Sequence, residues 1–213
     1  SIRPESGRGQ CCPMYFRPEI YYDRPMEAFL VSTAIVTLAE MGDKTQLLSL
    51  VLAARFRKPW PIVLGIFVAT LANHALAGAV GAWVTQLLGP QLLRWVLGAS
   101  FIAMALWMLI PDKLDDDEGG GDAPRWGVFG TTVLAFFLAE MGDKTQIATV
   151  MLAAQYSAWA WVVMGTTVGM MLANAPVVWL GERITRRVPI RAVHVVSAVI
   201  FLGLGVLALW APN

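Results

Sequence analysis

The string Ala-Glu-Met-Gly-Asp-Lys-Thr-Gln stands at residues 39–46 and recurs, letter for letter, at residues 139–146. Each copy sets Glu, Asp and Lys close together inside a long apolar stretch. A charged side chain at a bilayer centre costs about 2.5–3.5 kcal/mol on insertion scales, so such residues are kept in membranes for ion or proton work far more than for packing. If the two copies face one cavity, Glu40, Asp43, Glu140 and Asp143 supply four carboxylates, and Lys44 and Lys144 two ammoniums. That leaves a formal charge that one divalent cation cancels. An all-oxygen donor set suits hard ions such as Mg²⁺, Ca²⁺ and Mn²⁺, whereas zinc or copper sites recruit His or Cys.

On a continuous helix, Glu40, Asp43 and Lys44 share a face, as do Glu140, Asp143 and Lys144, because residues three and four apart are neighbours. Glu40 and Glu140 are expected as primary ligands and proton carriers, with Asp43 and Asp143 either ligating or pairing to the charge-balancing Lys44 and Lys144. Gln46, Gln146, Asn73 and Asn174 are candidate amide ligands, and Thr45 and Thr145 candidate hydroxyl ligands. The blander readings are intrahelical ion pairs for the acids and interhelical hydrogen bonding for the asparagines. Met41 and Met141 are expected to pack. His74 has no counterpart, since Ala175 holds the matching place; it and His194 are expected to pack or to line a cavity.

The elements that must position these groups follow from composition. Of the 213 residues, 57% are hydrophobic and 15% charged, too few to clothe a soluble domain of this size. Apolar runs near 27–54, 60–88, 91–110, 127–154, 158–181 and 189–211 predict six transmembrane helices. The first and fourth exceed a simple span, which suggests tilt, projection beyond the bilayer, or a bend at Gly42 and Gly142. The stretch 112–124, with Asp115, Asp116, Asp117, Glu118 and three consecutive glycines, reads as a solvated linker. It separates two related halves: Leu52-Ala53-Ala54 recurs as Leu152-Ala153-Ala154, and Leu71-Ala72-Asn73 as Leu172-Ala173-Asn174. The fold class expected is therefore all-α and polytopic, with repeats over 26–110 and 127–213 joined by an acidic cytoplasmic linker over 111–126. Three spans per repeat is an odd number, so the second repeat is inverted, an arrangement that places transport sites at the midplane between repeats.

Lys and Arg concentrate in the loops after the first, third and fifth runs (Arg55, Arg57, Lys58, Lys113, Arg125, Arg183, Arg186, Arg187 and Arg191). This bias puts the linker in the cytoplasm and both termini outside. Residues 1–25, polar and Pro-rich and preceding Met26, read as a non-native or disordered tail. Cys11 and Cys12 are adjacent, which disfavours a disulfide between them. A net charge of +1 without a basic block gives no footprint for nucleic acid. No prosthetic group and no obligatory protein partner are expected; the partners are metal ions, protons and the lipid bilayer.

The paired strings Glu40-Met41-Gly42-Asp43-Lys44-Thr45 and Glu140-Met141-Gly142-Asp143-Lys144-Thr145 resemble the paired E-x-G-D-K-T/S signature of the Gdt-type cation/proton exchangers, a family of Golgi calcium/manganese transporters and bacterial manganese exporters. The resemblance runs from Met26 to about Trp210, and the stretch 47–74 looks most like the bacterial exporters. It implies a secondary transporter of a bacterial inner membrane, not an enzyme, exporting Mn²⁺ or Ca²⁺ against inward proton movement. A divalent-cation channel is the principal alternative, since acidic rings also line pores. An intramembrane aspartyl protease is more remote, because Glu40 and Glu140 stand where its Gly-x-Gly-Asp signature has glycine. A zinc protease lacks its His-Glu-x-x-His.

Overall fold

The computed structural model describes residues 24–109, 126–180 and 190–210. The expected tail and acidic linker lie outside the described residues, apart from residues 24, 25 and 126. Every regular element described is helical: α1 (Pro25–Glu40), α2 (Lys44–Phe56), α3 (Pro59–Leu87), α4 (Pro90–Trp107), α5 (Gly127–Glu140), α6 (Lys144–Gln155), α7 (Trp159–Leu180) and α8 (Ile190–Trp210). Proline opens α1, α3 and α4 at the first helical position, where its missing N–H costs nothing. Helices α3, α7 and most of α8 are long and apolar enough to cross a membrane. Trp60, Leu106 and Leu207 are among many large apolar side chains that point outward, as expected of a lipid-facing surface.

The first and fourth apolar runs are not single helices. Each breaks within the repeated string, α1 ending at Glu40 and α2 starting at Lys44, α5 ending at Glu140 and α6 starting at Lys144. Gly42 (φ 85°) and Gly142 (φ 79°) take the left-handed conformation that turns the chain out of the helix. The expectation that each acidic group shares one continuous helical face is therefore corrected. Glu40 closes one helix, Asp43 caps the next, and Lys44 belongs to the second.

Contact register fixes the directions of the helices. Thr33 donates to Gly165 O and Thr37 to Gly169 O, so α1 runs parallel to α7. Gly165 makes this approach possible, since a Cβ there would lie 2.5 Å from Phe29 O. Gly65 meets Thr132, and Asn73 donates to Phe137 O, so α5 runs parallel to α3 in the same manner. Further along α3, Gly81 abuts Val150 and Thr85 donates to Ala154 O, so α6 continues in the direction of α5. Helix α3 is antiparallel to α7, with Trp60 against Trp179 and Gly78 against Val163. It follows that α1 and α5 point in opposite directions. Helices α4 and α8 are also antiparallel, Gly98 meeting Leu209 and Phe101 stacking near Phe201.

Each long helix thus accompanies the broken segment of the other half. The middle of α3 lies beside the α5–α6 break, and α7 presents Asn174 beside the α1–α2 break.

Candidate functional site

The two breaks are built alike. The Gly42 N–H donates to Gln46 Oε1 at 2.9 Å, and the Gly142 N–H donates to Gln146 Oε1 at 2.7 Å. Each glutamine side chain thereby satisfies a backbone donor that the interrupted helix would otherwise leave bare. Asp43 and Asp143 occupy the N-cap positions of α2 and α6 in extended conformation. Their carboxylates stand at the positive ends of two helix dipoles, a placement that matches negative charge.

Glu40, Asp43, Glu140, Asp143 and Thr45 are all essentially inaccessible to solvent, and so are Lys144 and Thr145. Glu40, Asp43 and Asp143 each bring one carboxylate oxygen into a group whose members lie within 4.8 Å of one another. Two of these residues belong to the first half and one to the second. Glu140 lies within electrostatic range of Glu40 and Asp143, though outside that group. Lys44 Nζ is 3.8 Å from Asp143 Oδ1, so this ion pair crosses between the halves. Lys144 is buried with its ammonium 5.9 Å from the centre of the Trp107 ring on α4, a cation–π contact.

Hydroxyls and amides hold the acids. Thr45 donates to Glu40 Oε2, which also accepts from Asn174 Nδ2 at 3.2 Å. Thr145 Oγ1 lies 2.9 Å from Glu140 Oε2 and 3.3 Å from Asp143 Oδ2, and can donate to one at a time. The second oxygens, Glu40 Oε1 and Glu140 Oε1, are buried with no hydrogen-bond partner among the described residues. A buried carboxylate oxygen without a partner is costly unless a cation or proton meets it.

The other expected residues are also here, in supporting positions. Gln46 Nε2 donates to Ala173 O at 3.2 Å, and Gln146 Nε2 reaches Asn73 Oδ1 at 3.5 Å. Asn73 Nδ2 donates to Phe137 O at 3.0 Å. All four amides therefore join the breaks to the long helices beside them. Met141 is exposed and Met41 half-buried, both in the turns. His74 is fully buried and neither ring nitrogen has a hydrogen-bond partner among the described residues. Two contributors escaped the sequence reading. Ser49 donates to Asn174 Oδ1 at 2.8 Å, and its signal was present, because Thr149 stands at the same place in the second half. Trp107 has no such echo, and nothing in the string of residues points to it.

The family model described as "Divalent cation/proton antiporter GDT1" matches residues 28–116 and 128–213. The chain belongs to this family. It is therefore a membrane transporter of the cation/proton antiporter kind. A Vibrio cholerae protein named as a candidate manganese exporter is 53% identical over 178 residues, covering 83% of this chain and 88% of its own. A GDT1-like protein of Synechocystis is 26% identical, covering 87% of this chain and 98% of its own. The divalent cation/proton antiporter GDT1 of Saccharomyces cerevisiae is 22% identical, covering 83% and 81%. No solved structure matches the chain significantly.

Proposed function

We propose that this chain exports Mn²⁺ from the bacterial cytoplasm across the inner membrane in exchange for protons, with Ca²⁺ as the competing substrate. The observation that carries the reading is the meeting of Glu40, Asp43 and Asp143 oxygens, from both halves, at two helix breaks within 4.8 Å. Glu140, outside that group, adds a fourth carboxylate within electrostatic range from the second half. Broken helices of this kind put helix ends and carboxylates beside a cation at membrane depth. The Vibrio cholerae relative's name favours Mn²⁺ among the hard divalent ions. In this reading the threonines orient the carboxylates, the glutamines and asparagines hold the breaks against α3 and α7, and Lys44 and Lys144 balance charge.

The site lies between two inverted three-helix repeats, α1–α2, α3 and α4 against α5–α6, α7 and α8, making six spans in all. The opposed directions of α1 and α5, of α3 and α7, and of α4 and α8 support this organisation. Reporter fusions or cysteine labelling should then find residues 112–124 in the cytoplasm and Asn213 outside. Linker and C-terminus on the same face would refute the inverted repeat.

The substrate test is ⁵⁴Mn²⁺ counterflow in proteoliposomes, with Ca²⁺ and Mg²⁺ as competitors. Mn²⁺ should drive counterflow, Ca²⁺ should compete, and Mg²⁺ should compete least because it gives up its water reluctantly. Counterflow with Ca²⁺ and none with Mn²⁺ would reverse the substrate assignment.

A further inference from the structure

The two halves repeat the acidic string but do not treat their glutamates alike. In the first half, Asn174 Nδ2 donates to Glu40 Oε2 at 3.2 Å and also reaches Met170 O at 3.2 Å and Met170 Sδ at 2.9 Å on its own helix. In the second, the corresponding Asn73 donates from Nδ2 to Phe137 O and accepts at Oδ1 from Gln146, and no hydrogen bond from an asparagine amide to Glu140 is formed among the described residues. What distinguishes the two asparagines is the hydroxyl behind them. Ser49, fully buried on α2, donates to Asn174 Oδ1 at 2.8 Å. Its counterpart Thr149, also fully buried, donates instead to its own helix at Thr145 O, 2.8 Å away.

We infer that Ser49 is a positioning residue for the metal site: by fixing the Asn174 oxygen it commits the Asn174 N–H₂ to Glu40 and sets that carboxylate in its ligating geometry, with no equivalent relay to Glu140. An amide has one acceptor and one donor end, and a hydroxyl that donates to the acceptor end decides which end faces a third group. With Ser49 in place, the Asn174 amide cannot turn its oxygen toward Glu40 without losing the hydroxyl donor and bringing two acceptors together. Glu40 is then held through Oε2 by Thr45 and Asn174, which leaves Oε1 buried with no hydrogen-bond partner among the described residues. Asn174 accordingly acts as a donor to a ligand and not as a ligand itself. This inference depends on the metal-site reading given above and adds the device that makes its two halves unequal.

The test is Mn²⁺ binding by the purified full-length chain in detergent, read by loss of the free-ion electron paramagnetic resonance signal, which requires no transport. Ser49→Ala should weaken Mn²⁺ binding about 5- to 10-fold, the range for losing one orienting hydrogen bond. Ser49→Thr, which restores the hydroxyl, should return it to within about 2-fold of the parent, and Thr149→Val should stay within the same limit. Asn174→Ala should weaken binding at least as much as Ser49→Ala, and adding Ser49→Ala to it should cause no further loss, because Ser49 acts only through that amide. A general packing role for Ser49 would instead give losses that multiply in the double variant. That outcome, parental affinity in Ser49→Ala, or an equal loss in Thr149→Val would overturn the inference. Failure of the parent chain to bind Mn²⁺ at all would instead overturn the metal-site reading on which it depends.

Discussion

Glu40→Gln and Asp143→Asn should each lower Mn²⁺ transport roughly 100-fold or more while the protein still inserts and purifies as the parent does. Both substitutions keep shape and remove one negative charge from a buried group of ions. With the cation bound, removing one carboxylate leaves a positive charge uncompensated in the buried site, a penalty on the order of the 3–5 kcal/mol seen when buried pairs lose one partner, and here it falls on the loaded state. For Asp143 the uncompensated partner is named: the Lys44 ammonium, 3.8 Å away across the two halves. For Glu40 the amide of glutamine can still accept from Thr45 and Asn174, so local packing survives and the loss falls on cation binding. Glu140→Gln should also abolish exchange, because its buried Oε1 is the counterpart of Glu40 Oε1 in the second half. Glu27 provides the control. It sits at the start of α1 in a surface ion pair with Arg24, and Glu27→Gln should leave transport within about 2-fold of the parent, as exposed pairs contribute little. The assay is initial-rate Mn²⁺ uptake into proteoliposomes at matched protein content; parental rates in Glu40→Gln or Asp143→Asn would remove that residue from the ligand set.

Much of this arrangement was legible in the chain itself. The duplicated string located the acids, and the apolar runs located the helices, with α3, α4, α7 and α8 ending within a few residues of expectation. The repeat offset also paired Asn73 with Asn174, and each was found beside the opposite half's break. The sequence offered a bend at Gly42 and Gly142 as one of three explanations for the two overlong runs, and the structure turns that bend into a full break. Hydropathy is continuous through residues 27–54 and 127–154, and a window of apolar residues cannot register that Gly42 and Gly142 adopt positive φ. Helical periodicity then grouped Glu40, Asp43 and Lys44 on one face, when the turn separates them and directs Lys44 to Asp143 of the other half. Ion pairs between distant segments leave no spacing signature, and a cation–π contact such as Lys144 over Trp107 leaves even less. Position along the chain determined which residues gather; tertiary packing determined which partner each one meets.

Membrane voltage should have little effect on exchange, the second large consequence of this site. Four carboxylates and two ammoniums leave a net double negative charge that one Mn²⁺ neutralises. An empty site carrying that charge inside the bilayer is disfavoured, and two protons restore the same neutrality. Asp143 has Lys44 3.8 Å away, and both aspartates occupy N-cap positions, where the helix dipole favours negative charge. Glu40 and Glu140 close the preceding helices, at the dipole's negative ends, and are the proton carriers in the proposed scheme. One divalent ion then crosses in one direction and two protons in the other, with no net charge moved. A single uncompensated charge crossing the full field would change the driving force by about 2.3 kcal/mol per 100 mV, roughly 50-fold in an equilibrium ratio. With voltage clamped by valinomycin and potassium, the Mn²⁺ accumulation ratio at fixed pH gradient should vary by less than about 2-fold over 100 mV. A variation approaching 50-fold would show that charge is carried and that the stoichiometry is not one to two.

The most direct measurement is simultaneous recording of Mn²⁺ and proton movement in the same proteoliposomes, with an entrapped metal indicator and an entrapped pH indicator. An imposed pH gradient alone should drive Mn²⁺ uphill, with two protons moving oppositely for each ion, and both signals should vanish together in Glu40→Gln. Mn²⁺ flux without proton counterflow, or flux that only ever runs down its own gradient, would contradict an exchanger and leave a channel in its place.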